Sequence, residues 1–531
     1  MKQFTRYFIL WYGLLETYIF TGCIFGWTAL HYMLRQEGIY STVCKTDGLT
    51  SLMNVSLWNA SHSENESRFT SSTEIPTQKI NVGYTTCEEQ DRILNLAYTI
   101  GSFCMGSTSF IWGFLLDRWG LRNVRLIING LITSGCILLS LTIKETSFLL
   151  FPSLILVCLA GVPLRLANMQ IADLFPEKRS TIITLYSGAF SASASVFVFI
   201  KYGFDAGLPW EWACFLLVVL SVIMLPVTLF VLPADRIREE KGGLFSATEK
   251  EVSSVAPCVW GTFTYIPDDY IFHKSPPPVR SENNNTVKEK SPKDGEVEKQ
   301  EEIPLRNSLF SWSFFLHQYW FCWLLLYTII YVGTLHLWSE RTTTDRNEDS
   351  FFSETYGLFQ VTGIFLAPIG GLFMDWSIRR VTKNNEDQDE TLLRVIRSCF
   401  WPMFLTTILE AIAQICKFFN VKIAIYVSIF AVTFLRAFFL SIGTAYLRIR
   451  FPAEHFNKLL GIMSTISAVV SLLQFPLFLW ESSSPASVLS VNIFDSVCSA
   501  VAFIHPLLLV VIPVQKYFLR DKMKKTTDSS S

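Results

Sequence analysis

The sequence predicts an all-α polytopic membrane protein with twelve transmembrane helices in two six-helix halves. Three observations carry this prediction. Only 17 % of the 531 residues are charged, where soluble domains carry about 25 %. Twelve apolar segments reach the length of about 20 residues that a helix needs to cross a bilayer. The polar turn after the second segment returns, with the same glycine-to-aspartate spacing, after the eighth. Mean hydropathy of +0.34 agrees with the charge deficit. Half of the chain is apolar, which excludes a disordered, collagen-like or disulfide-scaffold protein. The 44 basic and 45 acidic side chains leave a net charge of −1. With no global basic field, nucleic acid is not an expected partner.

The first half, 1–233, holds apolar segments at about 8–34, 93–116, 124–143, 147–171, 181–204 and 210–233. A helix satisfies every backbone polar group within itself, so each segment can cross lipid. The first segment is too long for a cleaved signal peptide and carries no small-residue cleavage site. A polar outer loop, about 35–92, follows it. Three sequons stand there, at Asn54, Asn59 and Asn65, and glycosylation requires a lumenal or external loop. Chance matches in a Ser/Asn-rich loop are the alternative. Cys44 and Cys87 flank the sequons and are a candidate disulfide for an oxidising compartment. Most of the 12 cysteines lie in apolar runs, where Cys behaves as a small hydrophobe. No CxxC or His-rich cluster has zinc spacing, so no metal or cofactor is expected.

Residues 234–308, rich in Lys, Glu, Pro and Asn and including Pro276-Pro277-Pro278, read as a flexible cytoplasmic linker. A fourth sequon there, at Asn284, is expected to stay unused. The second half, 309–515, holds segments at about 314–337, 352–374, 396–416, 421–447, 458–480 and 489–514, before a tail at 516–531. Arg118, Arg122, Arg125, Lys178, Arg179, Arg379, Arg380, Arg394, Arg397, Arg448, Arg450 and Lys458 fall in the expected inner connections, and the tail is basic. Short outer connections hold few basics, such as Lys144 and Lys201. The positive-inside rule therefore places both termini and the linker in the cytoplasm. The sequons place the first loop outside, in agreement.

The repeat relates Gly113-Phe-Leu-Leu-Asp117-Arg118-Trp119-Gly120-Leu121-Arg122 to Gly371-Leu-Phe-Met-Asp375-Trp376-Ser377-Ile378-Arg379-Arg380. Leu174-Phe175-Pro176-Glu177 is echoed by Arg450-Phe451-Pro452-Ala453-Glu454. Repeated six-helix halves are a transporter design with the substrate between them near the midplane. Glycine permits close helix approach, and an aspartate at a helix end accepts from arginine or from a neighbouring helix N-terminus. Breaking such a cluster as the halves rock gives the motif a gating role. The other reading is an ordinary turn with arginines that set topology.

With these motifs the chain resembles the major facilitator superfamily, whose loop pattern is GxxxDRxGRR. It departs from the pattern at Leu121 and Asn123, and Trp376 replaces the first basic residue of the second copy. Leu14-Leu15-Glu16 with Phe25-Gly26-Trp27, the run Leu96–Phe103, and Phe451-Pro-Ala-Glu-His-Phe456 resemble solute carrier family 43. The runs Arg179–Phe190 and Ser467–Phe478 are similar to its equilibrative nucleobase transporter branch. Large neutral amino acid transporters form the sister branch. The resemblance covers the chain except the linker and tails. It implies the superfamily fold and sodium- and proton-independent facilitated transport of purine nucleobases such as adenine, guanine and hypoxanthine at the plasma membrane.

Ionisable groups inside the spans are costly, so they mark a cavity or a partner. Glu16 reads as a cavity carboxylate or as half of a helix-packing ion pair. Arg436 reads as a planar donor fork for a ring, or as the partner of Glu16 or another acid. Arg165 and Glu410 lie near expected span ends and read as snorkelling structural groups. Asn168, Gln170, Tyr186, Ser187, Ser191, Gln474 and Asn492 can hydrogen-bond a purine edge, and Phe190 can stack on a base. Taken singly, such a residue is more often a helix–helix hydrogen bond than a ligand. Trp210, Trp212, Trp338 and Trp480 read as interfacial anchors, and His505-Pro506 as a kink. Three functions stay open: a nucleobase carrier, a neutral amino acid carrier, and a transport-inactive scaffold. An enzyme is not expected, since no P-loop, HExxH or GxSxG stands in suitable context.

Overall fold

A computed structural model of the chain describes residues 3–44, 87–175, 179–231, 304–343, 346–382 and 388–515. The sequons at Asn54, Asn59 and Asn65, the linker up to residue 303 and the tail 516–531 lie outside these residues. Every regular element among the described residues is helical. The first half contains α1 (Gln3–Phe20), α2 (Trp27–Gln36), α3 (Glu88–Ser107), α4 (Ser109–Ser140), α5 (Leu150–Met169), α6 (Arg179–Ala192), α7 (Val196–Asp205) and α8 (Trp210–Pro226). The second contains α9 (Leu305–Leu309), α10 (Trp312–Thr342), α11 (Arg346–Val361), α12 (Gly363–Thr382), α13 (Gln388–Ser398), α14 (Phe400–Cys416), α15 (Lys422–Arg450), α16 (Ala453–Ser471), α17 (Gln474–Ser483), α18 (Pro485–Ala502) and α19 (Ile504–Val510).

Nine spans among the described residues are long and apolar enough to cross a membrane, and eleven if each of two bent helix pairs counts as one. The expected twelve are not reached, and the segment at 93–116 is the one left out. The reason lies in α3, which buries Asp91, Asn95, Thr99 and Ser102. At spacings of three and four these residues form one inward stripe, which lowers the hydropathy of the helix without taking it out of the bundle. The next helix, α4, breaks at Gly120, whose φ of 77° is open to glycine at little cost. The two bent pairs are α1 with the Cys23–Gln36 helix, at 47°, and α11 with α12, at 51°. Both bends pack on the α6–α7 junction. A Cβ on Gly26 would lie 2.3 Å from the Ala194 carbonyl oxygen, and one on Gly188 would lie 2.6 Å from Ile364 Cα. Glycine at these two places lets backbones touch across the bundle.

One apolar core runs through both halves. They meet where α12 packs on α6 and where α16 packs on α3. Large apolar side chains such as Leu216, Val222, Phe365, Ile423, Phe430 and Val497 point outwards, as lipid-facing surfaces require. Cys44 and Cys87 are joined with their Cα atoms 5.8 Å apart, closing the loop that holds the sequons. Two expected surface anchors are interior groups instead. Trp210 and Trp338 are buried and donate to the carbonyls of Thr142 and Phe419, whereas Trp212 and Trp480 are exposed. Position near a span end did not separate the two kinds, because only the inward-turned indoles find carbonyl partners.

Candidate substrate site

A small cavity opens between the halves, lined by Arg165, Ser187, Ser191, Ala367, Arg436, Ala437, Leu440 and Ser441. Five of the eight are Ser or Ala, and that is what leaves space between α6, α12 and α15. On α15 the lining positions 436, 437, 440 and 441 share one helical face. Arg165 and Arg436 are 1 % and 4 % exposed. The Arg165 guanidinium lies over the Phe190 ring at 4.7 Å, and that of Arg436 over the Phe25 ring at 4.4 Å. Phe25 and Phe190 meet edge to face at 6.1 Å. The result is a row of guanidinium, ring, ring, guanidinium that crosses from one half to the other. Buried cation–π contacts of this kind are worth about 2 kcal/mol. They hold the long arginine side chains in place.

Arg436 Nη1 donates to Gln360 Oε1 at 2.7 Å and to the Tyr356 hydroxyl at 3.3 Å. Gln360 is itself held by donating to Thr433 Oγ1 at 3.0 Å. A guanidinium has five N–H donors in a flat fork, so neutral acceptors on one nitrogen leave others directed elsewhere. None of the lining residues among those described is a carboxylate. The cavity therefore offers positive charge and donors to whatever enters it, with the Phe190 and Phe25 rings packed against the two guanidiniums. Arg165 does not snorkel, as its place near a span end suggested. It is buried against Phe190 and lines the same cavity as Arg436.

The structure gives Glu16 to Arg125 and not to Arg436. Arg125 Nη2 reaches the two Glu16 carboxylate oxygens at 2.9 and 2.7 Å. Its Nη1 donates to Asn168 Oδ1 and its Nε to Thr228 Oγ1. Asn168 Nδ2 in turn donates to the Gly13 carbonyl at 3.1 Å and Thr17 Oγ1 at 3.0 Å. Tyr186 packs beside them and donates to the Leu10 carbonyl. Glu16, Asn168 and Tyr186 are thus brought together, but inside the first half and around an arginine that the charge pattern assigned to an inner turn. Arg125 is 2 % exposed. Asn492 lies far along the second half, where it donates to the Lys417 carbonyl at 3.1 Å. Glu410, expected to snorkel, is buried and accepts from Trp323 Nε1 and Ser499 Oγ.

Gln474 joins the halves at the end that carries the disulfide. It donates to Asn95 Oδ1 at 2.7 Å and accepts from Thr99 Oγ1, while Asn95 Nδ2 donates to the Gly333 carbonyl at 2.9 Å. Lys201 bridges Asp205 at 2.5 Å and Glu354 at 2.6 Å. Arg35 reaches Glu340 at 2.5 Å. That end is closed by polar contacts between the halves, a set built from residues more than a hundred positions apart.

Residues 90–384 match the sequence profile of the Major Facilitator Superfamily. The chain belongs to the major facilitator superfamily. It is 28 % identical over 516 residues to the Equilibrative nucleobase transporter 1 of Bos taurus, covering 94 % of each chain. It is 25 % and 26 % identical to the Large neutral amino acids transporter small subunit 3 of Mus musculus and of Homo sapiens, over 89 % of this chain and 87 % of each relative. The resemblance read from the motifs is borne out at this level. As a superfamily member the protein is a multi-pass membrane transporter of small solutes and not an enzyme.

In this superfamily member the repeated turns sit at the end away from the disulfide. Gly120 supplies the left-handed backbone there, Arg118 and Arg380 are exposed, and Arg122 is half-buried. Arg380 stacks over the Trp376 ring at 5.5 Å, the residue that replaces an arginine of the first copy. Gly371 is buried in α12. The side chains of Asp117 and Asp375, and position Gly113, lie outside the described residues.

The site residues that sequence reasoning passed over are Phe25, Tyr356 and Gln360. Phe25 stood in a quoted motif, but nothing in one dimension pairs an aromatic ring with an arginine 411 positions away.

Proposed function

We propose that the protein carries purine nucleobases by facilitated diffusion and alternating access. The paired guanidiniums of Arg165 and Arg436, in a cavity without a lining carboxylate, carry this reading. A purine presents ring nitrogens and, in guanine and hypoxanthine, a carbonyl oxygen. Arginine donates to such an edge through two N–H groups at once. The flat ring of the solute has π faces that suit Phe190, Phe25 and the guanidinium planes. A large neutral amino acid carries an ammonium as well, and a buried ammonium needs an acceptor. Glu16, the acid that the sequence offered for it, is occupied by Arg125.

An uncharged substrate needs no coupling ion, so transport runs down the gradient of the base itself. We place the protein in the plasma membrane with both termini and the 234–308 linker in the cytoplasm, and the 35–92 loop outside, glycosylated at Asn54, Asn59 and Asn65. The disulfide-bearing end then faces outwards, and the GxxxD turns face the cytoplasm as gating elements. Radiolabelled adenine and leucine uptake into cells expressing the chain tests the reading, with and without sodium and at two pH values. Saturable adenine uptake, unchanged by sodium or pH, is expected. Leucine uptake without adenine uptake would overturn the substrate, and neither, despite surface expression, would overturn the carrier reading.

A further inference from the structure

Three side chains that are remote in sequence converge at the disulfide-bearing end. His31 comes from α2, Asp91 from the start of α3 and His336 from α10. They are 1 %, 4 % and 5 % exposed. One ligand atom of each lies within 4.8 Å of the other two. His31 Nε2 is 3.2 Å from Asp91 Oδ1, and the two imidazole rings stand 4.1 Å apart. Despite that crowding, His336 Nε2 is buried with no hydrogen-bond partner among the described residues, and His31 Nε2 and Asp91 Oδ1 make only loose ion-pair contacts with each other and with Arg35 Nε. Buried polar atoms left so are costly and call for an explanation.

We propose that His31, Asp91 and His336 bind a divalent cation of the zinc class, and that this ion pins the two halves together at the disulfide-bearing end. Two imidazole nitrogens and one carboxylate oxygen are the ligand set that Zn²⁺ takes in three-residue sites, with a water completing the tetrahedron. Ligands at Zn–N and Zn–O distances of about 2.0–2.2 Å lie about 3.4 Å from one another. The His31–Asp91 separation of 3.2 Å already meets this, so closure requires only that His336 move inwards from within 4.8 Å, by about 1.4 Å at most. Arg35 Nε lies 3.4 Å from the same Asp91 oxygen and helps to orient the carboxylate. The charge of Arg35 is compensated by Glu340 at 2.5 Å, which limits its repulsion of the ion. Trp27 and Phe478 wall the cluster with apolar surface, which strengthens ion–carboxylate attraction.

His31 and Asp91 belong to the first half and His336 to the second. A carrier that alternates must separate these groups whenever this end opens. An ion bound by all three therefore favours the state closed at this end and slows turnover. The ion acts as an inhibitor, apart from the solute cavity.

The test uses the full chain purified in detergent, freed of any histidine tag. Co²⁺ added alone is expected to give the visible absorption of a tetrahedral site, displaced by Zn²⁺, and Zn²⁺ to raise the melting temperature. His336→Gln should weaken Zn²⁺ binding by on the order of a hundredfold or more, since even outer-shell changes cost 10–100-fold. His336→Cys keeps a ligand and should retain binding. In cells, Zn²⁺ outside should slow solute uptake by the wild type and not by His336→Gln, each relative to its own metal-free rate. Absence of a cobalt spectrum and of zinc stabilisation in the wild type would overturn the site. So would binding that survives unchanged in His336→Gln, His31→Gln and Asp91→Asn. Binding with no slowing of uptake would overturn the pinning of the halves.

Discussion

Glu16→Gln is the perturbation that most sharply separates a structural carboxylate from a solute-binding one. Glu16 and Arg125 are both almost wholly buried and lie 2.7 Å apart. The substitution removes the negative charge and keeps the shape. Arg125 is left with only neutral acceptors, Asn168 Oδ1 and Thr228 Oγ1. An uncompensated buried charge of this kind costs about 3–5 kcal/mol. In a folding unit of about 150–250 residues, each kcal/mol moves the melting temperature by about 2–4 °C. Glu16→Gln is therefore expected to lower it by about 6–20 °C. The double variant Glu16→Gln, Arg125→Met should recover most of that loss, because burying an aliphatic side chain in place of an ion pair is often neutral. The assay is thermal unfolding of the purified transporter, with surface expression as a second readout. A Glu16→Gln protein that melts within about 2 °C of the wild type but no longer transports would refute the pairing. It would return Glu16 to the solute.

Gly188→Val should jam a close backbone contact between the halves, where a Cβ would lie 2.6 Å from Ile364 Cα. Overpacking costs about 1–3 kcal/mol, and uptake at normal surface level should fall at least about fivefold; unchanged uptake would remove this contact from the cycle. Lys201→Met and Glu354→Gln, made singly and together, should show a thermodynamic coupling of about 0.5–3 kcal/mol in melting experiments. Additive effects would mean that the 2.6 Å ion pair does not tie the halves. Enzymatic removal of N-glycans should increase the gel mobility of the wild type. The variant Asn54→Gln, Asn59→Gln, Asn65→Gln should show no such change, whereas no shift in the wild type would contradict an external 35–92 loop.

The class of fold was legible because a bilayer imposes its own length and charge rules on a chain. The GxxxD repeat then ordered the segments into halves. The span at 93–116 shows the limit of that reading. It buries Asn95 and Thr99 against Gly333 and Gln474 of the second half, so its composition departs from the rule that revealed its neighbours. The site was legible in part. Arg436 and Phe190 stood out as an intramembrane charge and an aromatic near it in the fold. Glu16 stood out equally, yet its partner Arg125 was hidden among arginines that set topology. Charge near a turn does not reveal whether the side chain points into the bundle. Arg165 was misplaced for the same reason. Gln474 was chosen as a purine ligand, whereas in the folded chain it spans from α17 to Asn95 and Thr99. His31, Asp91 and His336 carry no motif at all, because only the closing of the two halves brings them together.

The central claim is that the two-arginine cavity receives a flat solute rich in hydrogen-bond acceptors. Initial-rate adenine uptake by Arg436→Gln, normalised to surface protein and set beside the wild type, tests it most directly. The side chain stays polar and of similar reach, but the charge and the donor fork are lost. Charge-assisted hydrogen bonds are worth about 1.5–3 kcal/mol, so transport efficiency should fall by about 10- to 150-fold, with the melting temperature lowered by about 4–8 °C for the lost cation–π contact. Adenine transport at the wild-type rate in this variant would contradict the account.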